Sequence, residues 1–469
     1  MSTIKDYQKL LVRKAIQFEP RGLAKVPKLS THMFPHQTSV CEFALRTGCS
    51  GAYLATGMGK SLVSLEFGRV IVEHTNKPVL MLAPLAVANQ HEREAHKFGI
   101  DAKAIKDSSG ISGNRVYITN YDRLQLFDPT VFSGVIIDES SCLKSYGGKT
   151  SRAIIDAFAH TPFRLAASAT PSPNNHMEMG QQAEFLGVMR QMEMLSRWFI
   201  NDTSTASKVW RLKGHAVDSF WDWVASWSRC MAKPSDLGFS DEGFALPELI
   251  TTTHLISADR SVNTGAEKDG QSRLFRIPET SATSIHQEKR MTADARAALV
   301  AGLVQNEADE PWIIWVDTTY EADAMKRVLP SVVEIRGDMS ADEKEEKIVG
   351  FSNGTVKYLL TKSSITGFGL NWQHCARMAF VGLSFSFESY HQAVRRCWRF
   401  GQTRPVYVHI AMADTERAII DVVTRKADDF EEMGAAMAAA MARATNLQKA
   451  RLPYEPARRV AVPAFMTGA

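Results

Sequence analysis

Short apolar runs without polar alternation constrain the fold of this 469-residue chain more than any other feature. Five of them lie between residues 52 and 167: "AYLA", "VLMLA", "VYIT", "VIID" and "FRLAA". Strands that are buried on both faces of a parallel sheet have this composition, and the segments between these runs have helical periodicity. Residues 30 to 175 therefore predict a doubly wound α/β domain.

A second series of apolar runs follows later in the chain. Its members are "WIIWV" (312–316), "VVEI" (332–335), "VKYLLT" (356–361), "RMAFVG" (377–382) and "VYVHI" (406–410). They predict a second parallel-sheet domain of the same class. Residues 256 to 284 are polar and rich in Ser, Thr and Gly, which is typical of a linker or a surface insertion.

The predicted organisation is α/β, with two doubly wound parallel-sheet domains in tandem and a helical insertion after the first. The segment between the two series holds five of the nine tryptophans. Tryptophans at helical spacing are typical of a core, and a stacking platform or wedge for bases is the alternative. We expect an extension (1–30), the first domain (31–175), the helical Trp-rich segment (176–255), a linker (256–290), the second domain (291–413), and C-terminal helices with a tail (414–469).

Composition excludes several classes of protein. The six cysteines are scattered without a C-x-x-C pair, so neither a disulfide framework nor a structural zinc is expected, and a reducing cytoplasm fits. No apolar run approaches the length of a membrane span, so we predict no membrane partner. The net charge of +4 is compatible with a nucleic-acid partner only if the basic residues cluster.

The stretch "YLATGMGKS" (53–61) has the spacing of a phosphate-binding loop between a strand and a helix, although Leu54 replaces its first glycine. Backbone N–H groups at the start of the helix can bind phosphate, Lys60 can reach the β- and γ-phosphates, and Ser61 can bind Mg²⁺. A glycine-rich strand-to-helix turn without a ligand is the alternative. The candidate nucleotide-binding residues of the loop are Thr56, Gly57, Met58, Gly59, Lys60 and Ser61.

Two adjacent carboxylates follow the apolar run in "VIIDESS" (135–141). Such a pair at the end of a buried strand is costly unless a cation lies close by. We therefore predict that Asp138 binds magnesium and that Glu139 orients or deprotonates the attacking water. Upstream of the loop, the amide of Gln37 in "FPHQ" can bond a donor and an acceptor on an adenine edge.

These motifs resemble those of the superfamily-two helicases, and most closely the Swi/Snf-type translocases in a compact form associated with bacteriophages and prophages. The resemblance runs from about residue 33 to 430. Ser140 and Ser141 depart from it, because the family usually has Ala-His or a similar pair there. In chain order, the stretches similar to motifs Q, I, Ia, Ib, II, III, IV, V and VI are "FPHQ", "ATGMGKS", "LAPLAVANQHERE", "ITNYDRL", "DESSCLKS", "SATPSPN", "WIIWVDTTYEAD", "TGFGLNWQHC" and "ESYHQAVRRCWRFGQTRPV".

The last of these is the most specific. The family form Gln-x-x-x-Arg-x-x-Arg-x-Gly-Gln is present in full as Gln392, Arg396, Arg399, Gly401 and Gln402. The resemblance implies that Arg399 is the main arginine finger, that Arg396 is its companion, and that Gln392 belongs to the catalytic set. An arginine brought to the γ-phosphate from the opposite domain stabilises transition-state charge. Surface arginines on a basic helix are the alternative.

The resemblance implies two RecA-like domains with ATP and Mg²⁺ bound between them, and movement along nucleic acid, preferably double-stranded DNA, in the cytoplasm. It assigns Gly367 to the nucleotide and assigns Ser168 and Thr170 to coupling, a helix cap being the alternative for these two. A strand-separating DNA or RNA helicase, or a nucleotide-switched subunit working through a protein partner, stays open. The candidate backbone contacts are Thr119, Asn120, Thr361, Thr366 and Asn371.

Overall fold

Two parallel β-sheets, one in each half of the chain, form the framework of the molecule. The computed structural model describes residues 20–84, 87–144, 148–173, 175–202, 209–257, 282–366 and 371–450. In both halves helices connect successive parallel strands, as the apolar runs predict. The predicted doubly wound, two-domain α/β fold is confirmed.

The first sheet has seven strands in the order β3-β4-β2-β5-β6-β1-β9, all parallel. Since β6 lies between β1 and β5, the segments that follow these three strands meet at one edge of the sheet. The strands are β1 (Cys49–Leu54), β2 (Val79–Ala83), β3 (Ala102–Ala104), β4 (Val116–Asn120), β5 (Gly134–Asp138) and β6 (Phe163–Ser168), with β9 from the following segment. The helices are α1 (Pro35–Thr47), α2 (Lys60–Thr75), α3 (Ala88–Lys97) and α4 (Lys149–Ala157).

The segment after β6 departs from the helical insertion that the sequence predicts. It contains α5 (Met179–Phe185), α6 (Gln191–Trp198) and α7 (Val217–Trp227), but also the antiparallel pair β7 (Phe199–Asp202) and β8 (Val209–Leu212). β9 (Ser228–Met231) then joins the edge of the first sheet, and β10 (Leu249–Ile256) joins the edge of the second. Both edge strands carry polar residues, so they lack the continuous apolar pattern by which central strands are recognised.

Four of the five tryptophans of this segment are core residues, and Trp210 is half-buried. Trp221, Trp223 and Trp227 on α7 are buried, and the ring of Trp198 stacks on that of Trp223 at a centroid distance of 4.8 Å. Buried rings cannot stack on bases, so these residues do not form a wedge or a platform.

The second sheet has six parallel strands in the order β10-β15-β14-β11-β13-β12. Side chains from its two faces form two separate apolar clusters. Its remaining strands are β11 (Trp312–Trp315), β12 (Val333–Ile335), β13 (Tyr358–Thr361), β14 (Arg377–Phe380) and β15 (Val406–Ala413). Its helices are α8 (Ala282–Met291), α9 (Ala293–Asn306), α10 (Thr319–Val328), α11 (Ala341–Ser352), α12 (Ser363–Thr366) and α13 (Phe387–Val394).

The predicted linker (256–290) is wrong at its C-terminal end. Residues 282–290 belong to α8, where Lys289 is buried and its Nζ lies 2.7 Å from Asp317 Oδ2 of the second domain. Buried ionic contacts of this kind fix a segment to the domain, whereas a linker is solvated. Residues 258–281 lie outside the described residues, as do 1–19 and the predicted tail 451–469. The other domain limits stay predictions.

A single long helix, α14 (Arg417–Ala450), connects the two domains through their cores. Ile419 and Val423 near its start lie in a cluster of the second domain, whereas Met437 and Met441 lie in the core of the first. The helix packs against α7 and β9 as well as against α13. None of the described helices, including this one, is long and apolar enough to cross a membrane.

We predict that Met441→Ala lowers the free energy of unfolding by about 2–5 kcal/mol, because the fully buried side chain leaves a cavity between α14 and the first domain. Chemical denaturation followed by tryptophan fluorescence measures this change. The exposed Glu432 on the same helix gives the matched control Glu432→Ala. Equal unfolding midpoints for the two variants would contradict the packing role of α14.

Candidate functional site

The loop of residues 55–59 connects β1 to α2 and requires glycine at two positions. Gly57 and Gly59 have φ angles of +93° and +82°, a conformation that favours glycine. A Cβ atom on Gly59 would lie 2.0 Å from Gln37 Nε2. The loop therefore leaves the sheet edge by a tight turn and leads directly into the first turn of α2.

Gln37 holds this loop in place. Its Oε1 accepts a hydrogen bond from the backbone N–H of Phe34 (3.0 Å), and its Nε2 donates to the carbonyl of Met58 (3.2 Å). The side chain is buried. In this arrangement the amide bonds the protein backbone, and adenine recognition by Gln37 stays a prediction.

The second acidic residue of motif II stands directly after β5 in a conformation rare for its type. Glu139 has a φ of +54°, in the left-handed region. Its Oε1 lies 2.9 Å from Lys60 Nζ, and its Oε2 accepts a hydrogen bond from Ser168 Oγ (3.4 Å). Motifs I, II and III thus meet at one carboxylate, because β6 lies between β1 and β5.

Asp138 is buried beside a histidine. Its Oδ2 lies 2.9 Å from His91 Nε2, while its Oδ1 is buried and has no hydrogen-bond partner among the described residues. Burial alone would raise the pKa of Asp138, but the charges of His91 and Lys60 and the bond to His91 outweigh it, so the pKa is below its usual value. Burial lowers the pKa of His91, but Asp138 more than offsets this effect and the net pKa is raised.

Motif VI brings two arginines from the second domain to this edge. Arg396 is 3% exposed, and its Nε donates to the carbonyl of Gln392 at 3.0 Å. Burial and repulsion from Arg399 lower the pKa of Arg396 to about 10, against the opposing effect of Glu139 and Asp138. Burial also lowers the pKa of Arg399, and the carboxylate that opposes this shift is Glu94 on α3. The charges of the motif II carboxylates therefore act on Arg396 across the domain boundary.

Aromatic and ionic contacts join the two domains around the arginines. Phe400 lies so close to the loop that a Cβ on Gly57 would be 2.9 Å from Phe400 Cβ. The ring of Phe400 stacks on Phe244, with centroids 4.7 Å apart. Lys144, near the end of motif II, forms an ion pair with Glu388 on α13. The phosphate-loop motif and motif VI therefore face each other in direct contact.

The other predicted site residues differ in their burial and in their contacts. Thr170 is buried, and its backbone N–H donates to Ser168 Oγ (3.0 Å). This is a contact within the turn after β6, and not the helix cap given as the alternative for this pair, because residues 169–173 are not helical. Thr56 and Ser61 are half-buried in the loop, and Met58 is buried. Gly367 lies outside the described residues.

Four of the five candidate nucleic-acid contacts are buried. Thr119 and Asn120 end β4, and their Oγ1 and Oδ1 atoms have no partner among the described residues. Thr366 Oγ1 lies 3.3 Å from Thr361 Oγ1, so these two hydroxyls bond each other. Asn371 is exposed. A contact from the four buried residues to a polymer would require a change in their surroundings.

A cleft of about 370 Å³ opens in the second domain, at the ends of β11, β12 and β13. Thr361 lines it together with Arg336 and Lys362. Two acidic residues, Glu334 and Asp338, line it as well, and Arg336 pairs with Glu334, so the cleft has no excess of positive charge.

Sequence reasoning missed two residues of this site. The motifs assign no role to His91 or to Phe400. The pairing of β2 with β5 places the first turn of α3 beside Asp138, so strand order could have indicated His91. Trp398 lies beside these residues, with its ring centroid 4.3 Å from the Arg395 guanidinium, a cation–π contact.

Known protein families match both domains. The family model described as "Type III restriction enzyme, res subunit" matches residues 3–173, and the model "Helicase conserved C-terminal domain" matches residues 294–401. No curated protein sequence matches the chain. Among solved structures, the chain is similar to the SWI2/SNF2 ATPase core of Sulfolobus solfataricus in complex with dsDNA, at 17% identity and a TM-score of 0.41 over 92% of this chain and 98% of that chain.

The association with bacteriophages stays a prediction. The two matched regions contain the phosphate loop and carboxylates on one side and the arginines on the other, in the chain order that the motifs predict. The chain therefore belongs to the superfamily-two helicases and is a nucleic-acid-dependent ATPase with two RecA-like domains.

Proposed function

We propose that this protein is an ATP-dependent DNA motor that moves along double-stranded DNA without separating its strands. One observation carries the proposal: motif VI of the second domain lies against the phosphate loop of the first, since a Cβ on Gly57 would be 2.9 Å from Phe400 Cβ. Hydrolysis at such a site depends on the relative position of the domains. Each cycle of closing and opening can therefore move one domain along a track held by both.

The loop and its neighbours fit a nucleotide triphosphate with magnesium. The glycine conformations lead the chain into the first turn of α2, where backbone N–H groups can bind phosphate, and Asp138 Oδ1 is buried without a hydrogen-bond partner among the described residues. No group of three or more His, Cys, Asp or Glu side chains among the described residues could hold a metal ion. Magnesium suits such a site, because it usually takes one or two carboxylates and completes its shell with phosphates and water.

Ser61 and Asp138 would hold the magnesium, which neutralises charge on the phosphates. Lys60 pairs with Glu139 in this structure. On nucleotide binding, its ammonium group would pair with the phosphates instead. Glu139 then becomes available to orient or deprotonate the attacking water. Arg399 and Arg396 stabilise the charge that develops as the terminal phosphate leaves. Ser168 belongs to motif III, and its hydrogen bond to Glu139 would couple a change at this carboxylate to a movement of the motif.

The track is proposed to be the backbone of duplex DNA. The motif resemblance to Swi/Snf-type translocases supports this choice, and burial of the α7 tryptophans removes the wedge that strand separation could have used. Thr119, Asn120 and the motif V residues remain the candidate contacts. Contacts of this kind are mostly to phosphate, so binding should be independent of sequence and weakened by salt.

Glu139→Gln is expected to keep nucleotide binding and lose hydrolysis, since the amide cannot accept the proton of water. General bases contribute roughly 10²- to 10⁴-fold in rate. Binding of a fluorescent nucleotide and release of phosphate measure the two properties separately. The fully exposed Asp309 provides the control Asp309→Asn. Wild-type turnover in Glu139→Gln would contradict the assigned mechanism.

Arg396→Ala and Arg399→Ala are each expected to lower kcat by about 10³-fold with little loss of nucleotide affinity, because fingers act mainly on transition-state charge. Arg404, an exposed arginine of the same motif paired with Glu310, gives the control Arg404→Ala. A loss confined to nucleotide affinity would remove both arginines from the catalytic role.

Displacement of a third strand from a DNA triplex tests translocation itself. We expect the wild type with ATP to release the third strand and leave the duplex intact, while Glu139→Gln releases none. Separation of the duplex into single strands would instead favour the helicase alternative. Stimulated hydrolysis with neither effect would favour the nucleotide-switched subunit.

A further inference from the structure

We infer that His91 is a positioning residue that fixes the Asp138 carboxylate for magnesium. The inference deepens the proposed function, because it rests on the proposed metal role of Asp138. It concerns a side chain of α3 that would not touch the nucleotide, the metal or the attacking water.

The geometry favours an orienting contact. His91 Nε2 lies 2.9 Å from Asp138 Oδ2, and the two residues are 4% and 5% exposed. A carboxylate held through one oxygen has a fixed plane, so the direction of its second oxygen is fixed too. That second oxygen, Oδ1, is the buried atom without a partner among the described residues.

The fold places His91 beside the end of β5. β2 pairs with β5 up to Ile137, so the first turn of α3, which follows β2, lies beside the end of β5. The helix is anchored by the fully buried Ala95, one turn beyond His91.

Simple core filling is the competing explanation, and it has different consequences. A ligand-orienting partner affects metal affinity specifically, typically by 10- to 100-fold. A core residue affects stability, and it affects nucleotide binding equally with and without metal. Comparing two variants separates the two explanations. His91→Gln retains an N–H donor at similar reach, whereas His91→Leu only fills the space.

The experiment measures binding of a fluorescent ADP analogue, first in EDTA and then during titration with MgCl₂. We expect His91→Leu to raise the Mg²⁺ concentration needed for half-maximal tightening by roughly 10- to 100-fold while metal-free binding is unchanged. His91→Gln should recover most of this loss. His96→Leu, at an exposed histidine of the same helix, should match the wild type.

Unchanged magnesium dependence in His91→Leu would overturn the inference, as would an equal loss of binding with and without metal. Asp138→Asn distinguishes this failure from failure of the proposed function. If Asp138→Asn loses the magnesium effect and His91→Leu keeps it, only the role of His91 is wrong. If Asp138→Asn keeps the effect, or the wild type shows none, the metal role of Asp138 and the inference fall together.

Discussion

Two adjacent carboxylates at the end of β5 lie in a place from which water is largely excluded, so each needs positive charge close by. Burial would neutralise Asp138, and it stays charged because His91 and Lys60 lie nearby. Glu139 pairs with Lys60. The charge of Arg396 in the second domain completes this balance. Since the counter-charges come from motifs I, Ia and VI, the electrostatics of one strand end depend on the contact between the domains.

The contact between the domains has more than one support. Phe400 touches the phosphate loop beside the arginines, and α14 buries apolar side chains in both domains. A change in domain position must therefore be accommodated along α14 or at its ends. The relative motion proposed for the motor is thus limited to arrangements that this helix allows.

The central strands, the phosphate loop, the acidic pair and the motif VI arginines could all be predicted from the sequence. Each depends on local features: continuous apolar runs, or fixed spacing within a few residues. β9 and β10 could not be predicted, because edge strands carry polar side chains and their pairing depends on distant partners. His91 was missed for a related reason: its pairing with Asp138 follows from strand order, which a single sequence does not give.

Prediction was also limited where burial decides the role of a residue. The tryptophans of α7 could be core or exposed rings by spacing alone, and only tertiary packing shows that they are core. Thr361 and Thr366 were predicted as backbone contacts, yet their hydroxyls bond each other in this structure. A motif identifies the residues of a site, whereas the conformational state determines which of their polar atoms are accessible.

Steady-state ATP hydrolysis without nucleic acid and with duplex DNA, single-stranded DNA or RNA tests the central claim most directly. The account predicts strong stimulation by duplex DNA alone, and the apparent DNA affinity should fall steeply between low and moderate salt, as phosphate contacts require. Stimulation only by single strands or RNA, or hydrolysis indifferent to every nucleic acid, would contradict it.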